Sequence, residues 1–511
     1  MLDARVAASA DAIYGIDAES GEQWSFAQLR ARADALAGAL AGLGVGRGDV
    51  VYWQIPNWLE APALALAIDR LGAVSNPIIT AYRAREVRFI CGQARSRALV
   101  VPGVVRGVDH REIAAEVRRG CPDLEHVLTI RAAPGTGMRA LESLMGASAP
   151  GRSGWPAPTA PDDVSMLFYT SGTTAEPKGV LHTHSTVGAL LRSHQRFFRS
   201  GTDDRTLLQF PITHIGGVLF FLGNQLAAGS SAVFVDRYDP GVALDAIARY
   251  RVTGAGGPPA ILRGMLGAPG FAPGKVATLR TSGSGAADVS PELMREVERG
   301  FGVVAYRSYG MTECPMVSSG APEDPVAARH GTDGRPLPGC VVRVVDDRGR
   351  PAGVDREGEL EITGPQLCVG YLDPALNEAF TADDFIRTGD LGVMDAAGFV
   401  RITGRRKDVI LRKGETLSAK DIEDVLAEHP AVAEVAVIGL PDRERGERVC
   451  ACVALRGDGA EISLGAVRTF MEGRGVMRQK IPEQLEVLDA LPRNATGKVL
   501  KADLRRRFAA G

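Results

Sequence analysis

The sequence predicts an α/β protein with a large N-terminal domain of layered α/β subdomains and a small α+β domain at its C-terminal end. Segments typical of strands and segments typical of helices alternate through the first part, and such alternation favours parallel strands covered by helices. After residue 405 the pattern changes to a short helix followed by two apolar strands. The predicted domains are therefore residues 1–405 and 406–511.

The alternation is clearest near the N-terminus. Ser25 and Gln28 form a capping-box pattern, so a helix is predicted to begin there, and Gly44 supplies its stop. The β-rich run VVYWQI, residues 50–55, follows as a predicted strand, and the segment NWLEAPALALAIDRLG follows as a predicted helix. Strand and helix in this order indicate a parallel sheet.

The predicted small domain begins near the segment ITGRRKDVILRKGE. Ser418 and Asp421 form a cap pattern for a helix with the sequence AKDIEDVLAEH. The runs EVAVIGL and RVCACVAL that follow have the composition of strands. A helix and strands in one short stretch predict a compact α+β unit.

Charge and cysteine content argue against several classes of partner. The chain has 59 Lys and Arg against 61 Asp and Glu, so no net field selects nucleic acid or an anionic membrane surface. The seven cysteines are scattered and lack C-x-x-C spacing, which favours a reducing, cytoplasmic setting.

The first residues carry an early aspartate and no apolar core of signal-peptide length, so no secretion signal is expected. The apolar run IGGVLFFLGNQLAAG is too short to span a membrane and is expected to be a buried element.

The stretch YTSGTTAEPKGV, residues 169–180, points to a bound polyphosphate. Its Gly, Ser and Thr residues offer backbone N–H groups and hydroxyls that can replace water around phosphates, and Lys178 adds a positive charge. It is not a Walker A loop, because Pro177 precedes the lysine and Gly179 follows it. An isolated tract of this composition is also found in flexible surface turns.

Four further motifs follow the loop, in the order YGMTE (309–313), TGD (388–390), GRRKD (404–408) and PRNATGK (492–498). With the loop, and with WSFAQL, GVGRGDVV and IPN before it, this set resembles the adenylate-forming superfamily, which includes acyl-CoA synthetases, nonribosomal adenylation domains and firefly luciferase. The resemblance covers essentially the whole chain. It implies in-line attack of a carboxylate on the α-phosphate of ATP, which requires charge neutralisation and positioning from the protein.

The resemblance implies a phosphate-binding role for two of these motifs. The loop around the β- and γ-phosphates would be formed by Thr170, Ser171, Gly172, Thr173, Thr174 and Lys178. Ala175 stands where the family usually has glycine. Thr312 would contact the α-phosphate, and Glu313 would hold Mg²⁺, which prefers oxygen ligands. Outside such a motif, a glutamate of this kind is more often a solvated loop acid.

The resemblance also implies contacts to the nucleoside. Asp390 would grip the ribose hydroxyls with Arg405 as a second contact, although a buried ion pair between Asp390 and an arginine remains an alternative. The remaining ATP-binding residues implied are Ser284, Gly285, Tyr309 and Gly310. The turn at residues 283–286 departs from the family pattern, because Ala286 replaces the second glycine of that pattern.

Positions in the small domain are implied to serve catalysis and domain movement. Lys498 would bridge the substrate carboxylate and the α-phosphate, or it is a surface lysine of the basic tail KVLKADLRRRF. Lys407 falls at the hinge of the family, so the small domain is expected to be mobile. Gly414 would lie on the surface that binds CoA. Residues 446–448 either belong to the same CoA-binding surface or are solvated charged residues.

His214, in PITHIGG, matches the position that gates the acyl pocket in the family, whereas a lone histidine is more often a core residue. His214, Lys498 and Thr312 form the predicted catalytic set. The predicted acyl pocket contains His214, Gly216, Gly217 and Gly256. These glycines either leave room for a bulky or linear apolar acyl chain or allow backbone turns, and both interpretations are consistent with the sequence.

The resemblance favours a carboxylic acid:CoA ligase that uses ATP, Mg²⁺ and CoA. PITHIGGVLFF lacks the aspartate that pairs with the amine of an amino acid, so an uncharged medium-chain, alicyclic or aromatic acid is expected. No carrier module and no insertion of the fatty acyl-AMP ligase type is seen, yet a stand-alone adenylation enzyme that loads a carrier protein remains an alternative. The third hypothesis is a nonenzymatic relative that binds AMP or an acyl group. The presence of Lys498, Glu313 and Asp390 argues against this hypothesis. A homodimer is left open.

Overall fold

The computed structural model describes residues 1–145, 159–170, 177–287, 289–412, 415–442, 445–457, 460–474, 476–494 and 497–509. In these ranges, no helix combines the length and the apolar character needed to cross a membrane. The helices in chain order are α1 (Leu2–Ser9), α2 (Phe26–Ala41), α3 (Glu60–Arg70), α4 (Ala84–Gln93), α5 (His110–Gly120), α6 (His184–Phe198), α7 (Asn224–Ala228), α8 (Pro240–Tyr250), α9 (Pro259–Leu266), α10 (Pro291–Phe301), α11 (Val326–Gly331), α12 (Ala419–Ala427), α13 (Leu464–Gly473) and α14 (Lys501–Phe508).

The strands in chain order are β1 (Ile13–Asp17), β2 (Gln23–Ser25), β3 (Val50–Trp53), β4 (Val74–Pro77), β5 (Ala98–Val101), β6 (Val104–Val105), β7 (Val108–Asp109), β8 (His126–Thr129), β9 (Arg139–Ala140), β10 (Val164–Thr170), β11 (Lys178–Thr183), β12 (Arg205–Leu208), β13 (Ser231–Phe234), β14 (Thr281–Ser284), β15 (Val304–Tyr309), β16 (Ser318–Ser319), β17 (Arg335–Pro336), β18 (Val341–Val345), β19 (Gly358–Thr363), β20 (Gly370–Tyr371), β21 (Ile386–Met394), β22 (Val400–Arg405), β23 (Val409–Arg412), β24 (Glu415–Ser418), β25 (Val432–Asp442), β26 (Gly446–Leu455) and β27 (Gln484–Val487).

The first large sheet has the order β20-β11-β10-β4-β3-β5-β8-β9. Its strands from β10 to β9 run parallel, as the alternating sequence predicts, whereas β11 pairs antiparallel with both β10 and β20. The predicted capping box of α2 is confirmed, because the Ser25 and Gln28 side chains each bond the backbone N–H of the other residue. The antiparallel hairpin β10–β11 therefore presents the phosphate-loop motif at one end of a largely parallel sheet.

A second group of strands supplies the other side of the candidate site. Strands β12, β13 and β1 are parallel neighbours, and β14 runs parallel to β15. Gly254 joins the two sets, because it forms parallel bridges to Thr206 of β12 and to Thr281 of β14. A buried apolar core lies beneath these strands and includes Leu244 and Val297 of the covering helices. The strand ends at residues 284 and 309 are thereby brought side by side.

The later strands form two smaller sheets. Strands β18, β19, β21 and β22 make an antiparallel sheet that ends at Arg405. Strands β23 to β27 form a sheet with its own apolar core against α12 and α13. The predicted cap of α12 is confirmed, since the Ser418 hydroxyl accepts a hydrogen bond from Asp421 N. The predicted boundary between residues 405 and 406 falls between β22 and β23.

The small domain contacts the large one beside the candidate site. A Cβ built on Gly497 would lie 3.8 Å from Cβ of Pro258, so the loop before Lys498 passes close to Pro258. The Ser418 hydroxyl also donates a hydrogen bond to the Thr403 carbonyl at 2.6 Å. The first of these relationships brings the loop before Lys498 close to Pro258, two residues after Gly256 of the predicted acyl pocket.

Candidate active site

The phosphate-loop hairpin brings Thr170 and Lys178 opposite each other. They are Cα partners in the antiparallel pair β10–β11, so both lie where the loop enters and leaves the sheet. Nζ of Lys178 is 5.9 Å from the centroid of the Tyr371 ring. The predicted loop residues Ser171, Gly172, Thr173 and Thr174 lie outside the described residues, as does Ala175.

The Thr312–Glu313 segment follows β15 and is tied to the same hairpin. Nε2 of His182, on β11, is 2.8 Å from the Thr312 carbonyl oxygen, and its Nδ1 is 3.1 Å from Oγ1 of Thr186. Burial lowers the pKa of His182 to about 4, so the ring is neutral near pH 7 and donates through Nε2. The Glu313 side chain is buried with 7% exposure, and its Oε1 accepts a hydrogen bond from the Tyr371 hydroxyl at 2.6 Å.

Asp390 lies at the centre of a second polar group. Asp390 and Arg405 are Cα partners across β21 and β22, and Nε of Arg405 is 2.8 Å from Oδ1 of the aspartate. The Tyr309 hydroxyl donates to the other oxygen, Oδ2, at 2.7 Å. Burial, and then the charge of Asp390, raise the pKa of Tyr309 well above its ordinary value, so this hydroxyl keeps its proton. Asp390 is thus held in one orientation by an ion pair and a hydrogen bond, and its contact with ribose remains a prediction.

The turn after β14 is shaped by close backbone approach. A Cβ on Gly285 would lie 2.6 Å from the Ser308 carbonyl oxygen, and a Cβ on Gly310 would collide with the Pro315 carbonyl. The Ser284 hydroxyl donates to the Gly257 carbonyl at 3.0 Å. These predicted ATP-binding positions therefore lie on neighbouring strand ends, because β14 pairs with β15.

Ala286 has a backbone angle that suits glycine better than alanine. Its φ is +63°, in the left-handed region. An L-residue there costs about 1–2 kcal/mol, because its Cβ approaches the following carbonyl oxygen. The glycine that the family usually has in this turn would avoid that cost. Alanine at position 286 is therefore expected to be sterically strained.

His214 and Thr312 line one narrow cavity of about 20 Å³, together with Pro77, Ile78, Ile79, Tyr82, Phe168, Tyr169, Thr213 and Ile215. Nδ1 of His214 accepts a hydrogen bond from the Gly216 backbone N–H at 3.2 Å, which places the ring proton on Nε2. Burial lowers the pKa of His214 to about 4. The ring is therefore neutral near pH 7 and can donate one hydrogen bond towards its surroundings.

The predicted acyl-pocket glycines are sites of tight backbone packing. A Cβ on Gly217 would lie 2.5 Å from backbone atoms of Ile212, and a Cβ on Gly256 would lie 2.5 Å from the Gly283 carbonyl oxygen. Close approach of main chains is sufficient to explain both glycines. Their place in an acyl pocket remains a prediction.

Residues of the small domain are partly described. Asn494 holds the loop that carries Lys498, because its Oδ1 accepts from Lys498 N at 2.8 Å and its own N–H donates to the Lys498 carbonyl at 2.9 Å. Lys407 lies in the short 3₁₀ turn that follows β22. Gly414 lies outside the described residues, and Gly446, at φ +80°, pairs with Arg412. The loop that carries Lys498 thus passes close to Pro258 of the large domain.

Sequence reasoning missed two residues that organise the site, His182 and Tyr371. His182 follows Lys178 in KGVLHTH, and Tyr371 follows Gly370 in the short run VGYLDP. Neither carries a signal that separates it from an ordinary strand residue. Their partners lie 130 and 58 positions away in the chain, so only the sheet pairing reveals them.

Known proteins resemble this chain in sequence and in structure. The family model described as AMP-binding enzyme matches residues 2–372, and the model of the AMP-binding enzyme C-terminal domain matches residues 421–498. A 2-hydroxy-7-methoxy-5-methyl-1-naphthoate–CoA ligase of Streptomyces carzinostaticus is 34% identical over 499 residues, or 94% of this chain and 88% of that protein. A salicyl-AMP ligase / salicyl-S-ArCP synthetase of Mycobacterium tuberculosis is 33% identical over 494 residues, or 95% and 85%. The crystal structure of ATP-bound MatB from Rhodopseudomonas palustris has a TM-score of 0.88 at 30% identity, over 98% of this chain and 96% of that chain.

Proposed function

The chain belongs to the AMP-binding enzyme family, and from that premise we propose that it is a carboxylic acid:CoA ligase. The first half-reaction joins the acid to ATP, giving an acyl-AMP and pyrophosphate. In the second, the CoA thiol attacks the acyl carbon and AMP leaves, giving an acyl-CoA. The membership agrees with the adenylate-forming resemblance of the motifs, which is confirmed by the match to both family models.

One observation carries the proposal. Motifs that are far apart in the sequence meet at one edge of the large domain, where Lys178, Glu313 and Tyr371 lie together. Thr312, next to Glu313, also shares a cavity with His214. A cation, a carboxylate and a hydroxyl gathered in this way suit the neutralisation and positioning of a polyphosphate.

The adenylation step requires an anion to attack an anion. We assign Thr170 and Lys178, with the loop between them, to the departing β- and γ-phosphates, and Thr312 to the α-phosphate. Lys498 is assigned to the gap between the substrate carboxylate and the α-phosphate, where its charge reduces repulsion as the new P–O bond forms and the bond to pyrophosphate breaks. The closeness of Gly497 to Pro258 supports this, because the loop that carries the lysine lies near the large domain.

The residues present fit a magnesium ion that is completed by substrate. In the parts of the chain that the structure describes, no group of three or more His, Cys, Asp or Glu side chains could hold a metal by itself. Mg²⁺ is usually bound by one or two carboxylates together with substrate phosphates, and Glu313 is a buried carboxylate beside the phosphate-loop hairpin. When bound, the ion would supply positive charge to the polyphosphate. We assign Glu313 to hold it.

We assign Asp390 and Arg405 to the ribose hydroxyls and Tyr309 to the nucleoside side of the site. Asp390 is only 3% exposed and is held at both oxygens, so ATP would meet a carboxylate of fixed orientation. Ser284, Gly285 and Gly310 lie on adjacent strand ends and complete the proposed nucleotide site. Fixed polar groups lower the cost of ordering the ligand when it binds.

The proposed substrate is an uncharged acid of the medium-chain, alicyclic or aromatic classes. His214 would close the acyl pocket, and its neutral ring adds no charge beside the acyl chain. The similarity to a naphthoate–CoA ligase supports the aromatic class. Gly216, Gly217 and Gly256 are assigned to the walls of this pocket, and Gly414 to the side of CoA.

A carrier protein as the acyl acceptor is the second candidate. It is favoured by the 33% identity to a salicyl-AMP ligase / salicyl-S-ArCP synthetase. The adenylation half-reaction would be the same in both cases, and only the thiol that attacks the acyl-AMP would differ. We further propose a cytoplasmic location and leave a homodimer to be tested by light scattering.

The deciding experiment is mass spectrometry of the products formed with ATP, Mg²⁺, CoA and a mixed pool of aliphatic, alicyclic and aromatic acids. An acyl-CoA would establish the ligase and name its acid class. Acyl-AMP without acyl-CoA would transfer the assignment to a carrier-protein acceptor. If neither product forms with any acid of a broad pool, the proposed function is contradicted.

A further inference from the structure

Tyr371 stands between the lysine of the phosphate loop and the carboxylate of Glu313. It is the second residue of β20, and its Cα partner in β11 is Val180, two residues after Lys178. Nζ of Lys178 lies 5.9 Å from the centroid of the Tyr371 ring, and the Tyr371 hydroxyl lies 2.6 Å from Oε1 of Glu313. One side chain thus contacts both charged groups that the proposed function assigns to the polyphosphate.

The ring and the hydroxyl of Tyr371 have separate contacts. The ring packs in a small apolar cluster with Val180 and Cys368, and its centroid is 6.2 Å from that of Phe380. The hydroxyl points instead to the carboxylate. The hydroxyl is the donor in this hydrogen bond, and Oε1 of Glu313 accepts it. Loss of the hydroxyl alone would leave the apolar contacts in place.

The backbone around Glu313 is held by other groups. His182 holds the Thr312 carbonyl at 2.8 Å, and Cys368 N donates to the Glu313 carbonyl at 2.8 Å. The contact of Tyr371 is made to the carboxylate itself. A change at the hydroxyl is therefore expected to free the rotation of the Glu313 side chain while the main chain stays fixed.

We propose that Tyr371 is a positioning residue whose hydroxyl fixes the Glu313 carboxylate for the metal ion that accompanies ATP. This inference rests on the proposed function, which assigns Glu313 to that ion. A hydrogen bond to a ligating carboxylate fixes its orientation, and loss of such a partner typically weakens metal affinity or activity by about 10–100-fold. With Oε1 held by the hydroxyl, Oε2 is the oxygen available to the cation.

The test uses Tyr371→Phe, which keeps the ring and removes only the hydroxyl. Binding of Mn²⁺, as a probe for Mg²⁺, is measured by electron paramagnetic resonance in the presence and absence of ATP. We expect ATP-dependent Mn²⁺ binding to weaken by about 10–100-fold in Tyr371→Phe. The matched control is Tyr238→Phe, which removes another hydroxyl with a 2.6 Å bond, in this case to the Ile261 carbonyl. It should bind Mn²⁺ as the unchanged protein does.

A double-variant comparison separates this role from a merely structural one. If Tyr371 acts through Glu313, adding Tyr371→Phe to Glu313→Gln should weaken Mn²⁺ binding no further than Glu313→Gln alone. Unchanged Mn²⁺ binding in Tyr371→Phe, or fully additive losses in the double variant, would overturn the proposal. Melting temperatures are recorded for each variant, and Tyr371→Leu takes the place of Tyr371→Phe if the latter does not fold.

The outcome is separable from that of the proposed function. Acyl-AMP formation by the unchanged protein is measured in parallel with a mixed acid pool. A Tyr371-dependent Mn²⁺ site in a protein that forms no acyl-AMP would contradict the ligase and support the positioning role. A protein that forms acyl-CoA but binds Mn²⁺ equally well without the hydroxyl would support the ligase and contradict the positioning role.

Discussion

The Tyr309 hydroxyl donates a hydrogen bond to Oδ2 of Asp390 at 2.7 Å, while Arg405 holds the other oxygen at 2.8 Å. The aspartate that is assigned to the ribose therefore has its orientation set before ATP arrives. Two elements far apart in the sequence, β15 and β21, meet at this contact. The same carboxylate can accept hydrogen bonds from ribose hydroxyls through lone pairs that these partners leave.

We expect Asp390→Asn to raise KM for ATP more than it lowers kcat. The charge-assisted bonds to ribose would be made in both the ground state and the transition state, so their loss weakens binding uniformly. A loss of about 1.5–3 kcal/mol corresponds to about a ten- to hundredfold rise in KM. Steady-state kinetics with ATP as the varied substrate checks this, with Asp383→Asn as a surface control. An unchanged KM for ATP would remove Asp390 from the ribose site.

Lys498→Ala should lower acid-dependent formation of acyl-AMP by about two to three orders of magnitude, because a charge aimed at the reacting anions is lost. Thioester formation from supplied acyl-AMP should change little. Quenched-flow assays of the two half-reactions test the distinction. Lys275→Ala is the control, since Lys275 pairs with Asp245 on the surface. Equal losses in both half-reactions would refute the assigned role.

The free energy of unfolding should fall as pH is lowered from about 6.5 to 5. Burial lowers the pKa values of His110, His182, His194 and His214 to about 4, from an ordinary value of 6.5. In this window the unfolded chain binds more protons than the folded one, so the contribution is complete above pH 6.5 and is lost as pH falls.

Urea unfolding at a series of pH values measures this dependence. Each histidine contributes at most about 1.4 kcal/mol per pH unit, so His110→Gln should make the dependence shallower by up to that amount. A free energy of unfolding that is constant or rises as pH falls from 6.5 to 5 would contradict the prediction.

Ala286→Gly should be neutral or stabilising. Alanine at φ +63° carries a steric cost that glycine avoids, and this offsets the extra entropy of glycine in the unfolded chain. Ala31, also exposed, lies inside helix α2, so Ala31→Gly brings no such relief and should destabilise by about 0.5–1 kcal/mol. Denaturant midpoints of the two variants give the comparison. A larger loss for Ala286→Gly than for Ala31→Gly would be inconsistent with strain at this turn.

Gly256→Ala should destabilise the protein by about 1–3 kcal/mol or more, because its Cβ would lie 2.5 Å from the Gly283 carbonyl oxygen. Gly274→Ala is the control, since a Cβ at Gly274 meets no atom within 4 Å. Chemical denaturation and substrate profiles are measured together. A Gly256→Ala variant of full stability with an altered preference for acyl chains would instead assign this glycine to the width of the pocket.

The local elements were predictable because their signals lie within a few residues of one another. The capping box at Ser25 and the cap at Ser418 were read from neighbouring side chains, and both are formed. The motif residues of the site were named from the resemblance of short, ordered motifs to the adenylate-forming superfamily, and their roles remain predictions. Lys178, Glu313 and Asp390 were identified in this way.

Local sequence was therefore enough to predict the alternation of strands and helices near the N-terminus, the two caps and the motifs that carry the charged groups. The contacts of Tyr371 with Glu313 and of His182 with Thr312, and the close packing of main chain at Gly256, could not be predicted in this way. These contacts depend on strand pairing and register between distant segments. Such pairing is selected by burial of the whole core, and it leaves no mark in the residues next to each partner.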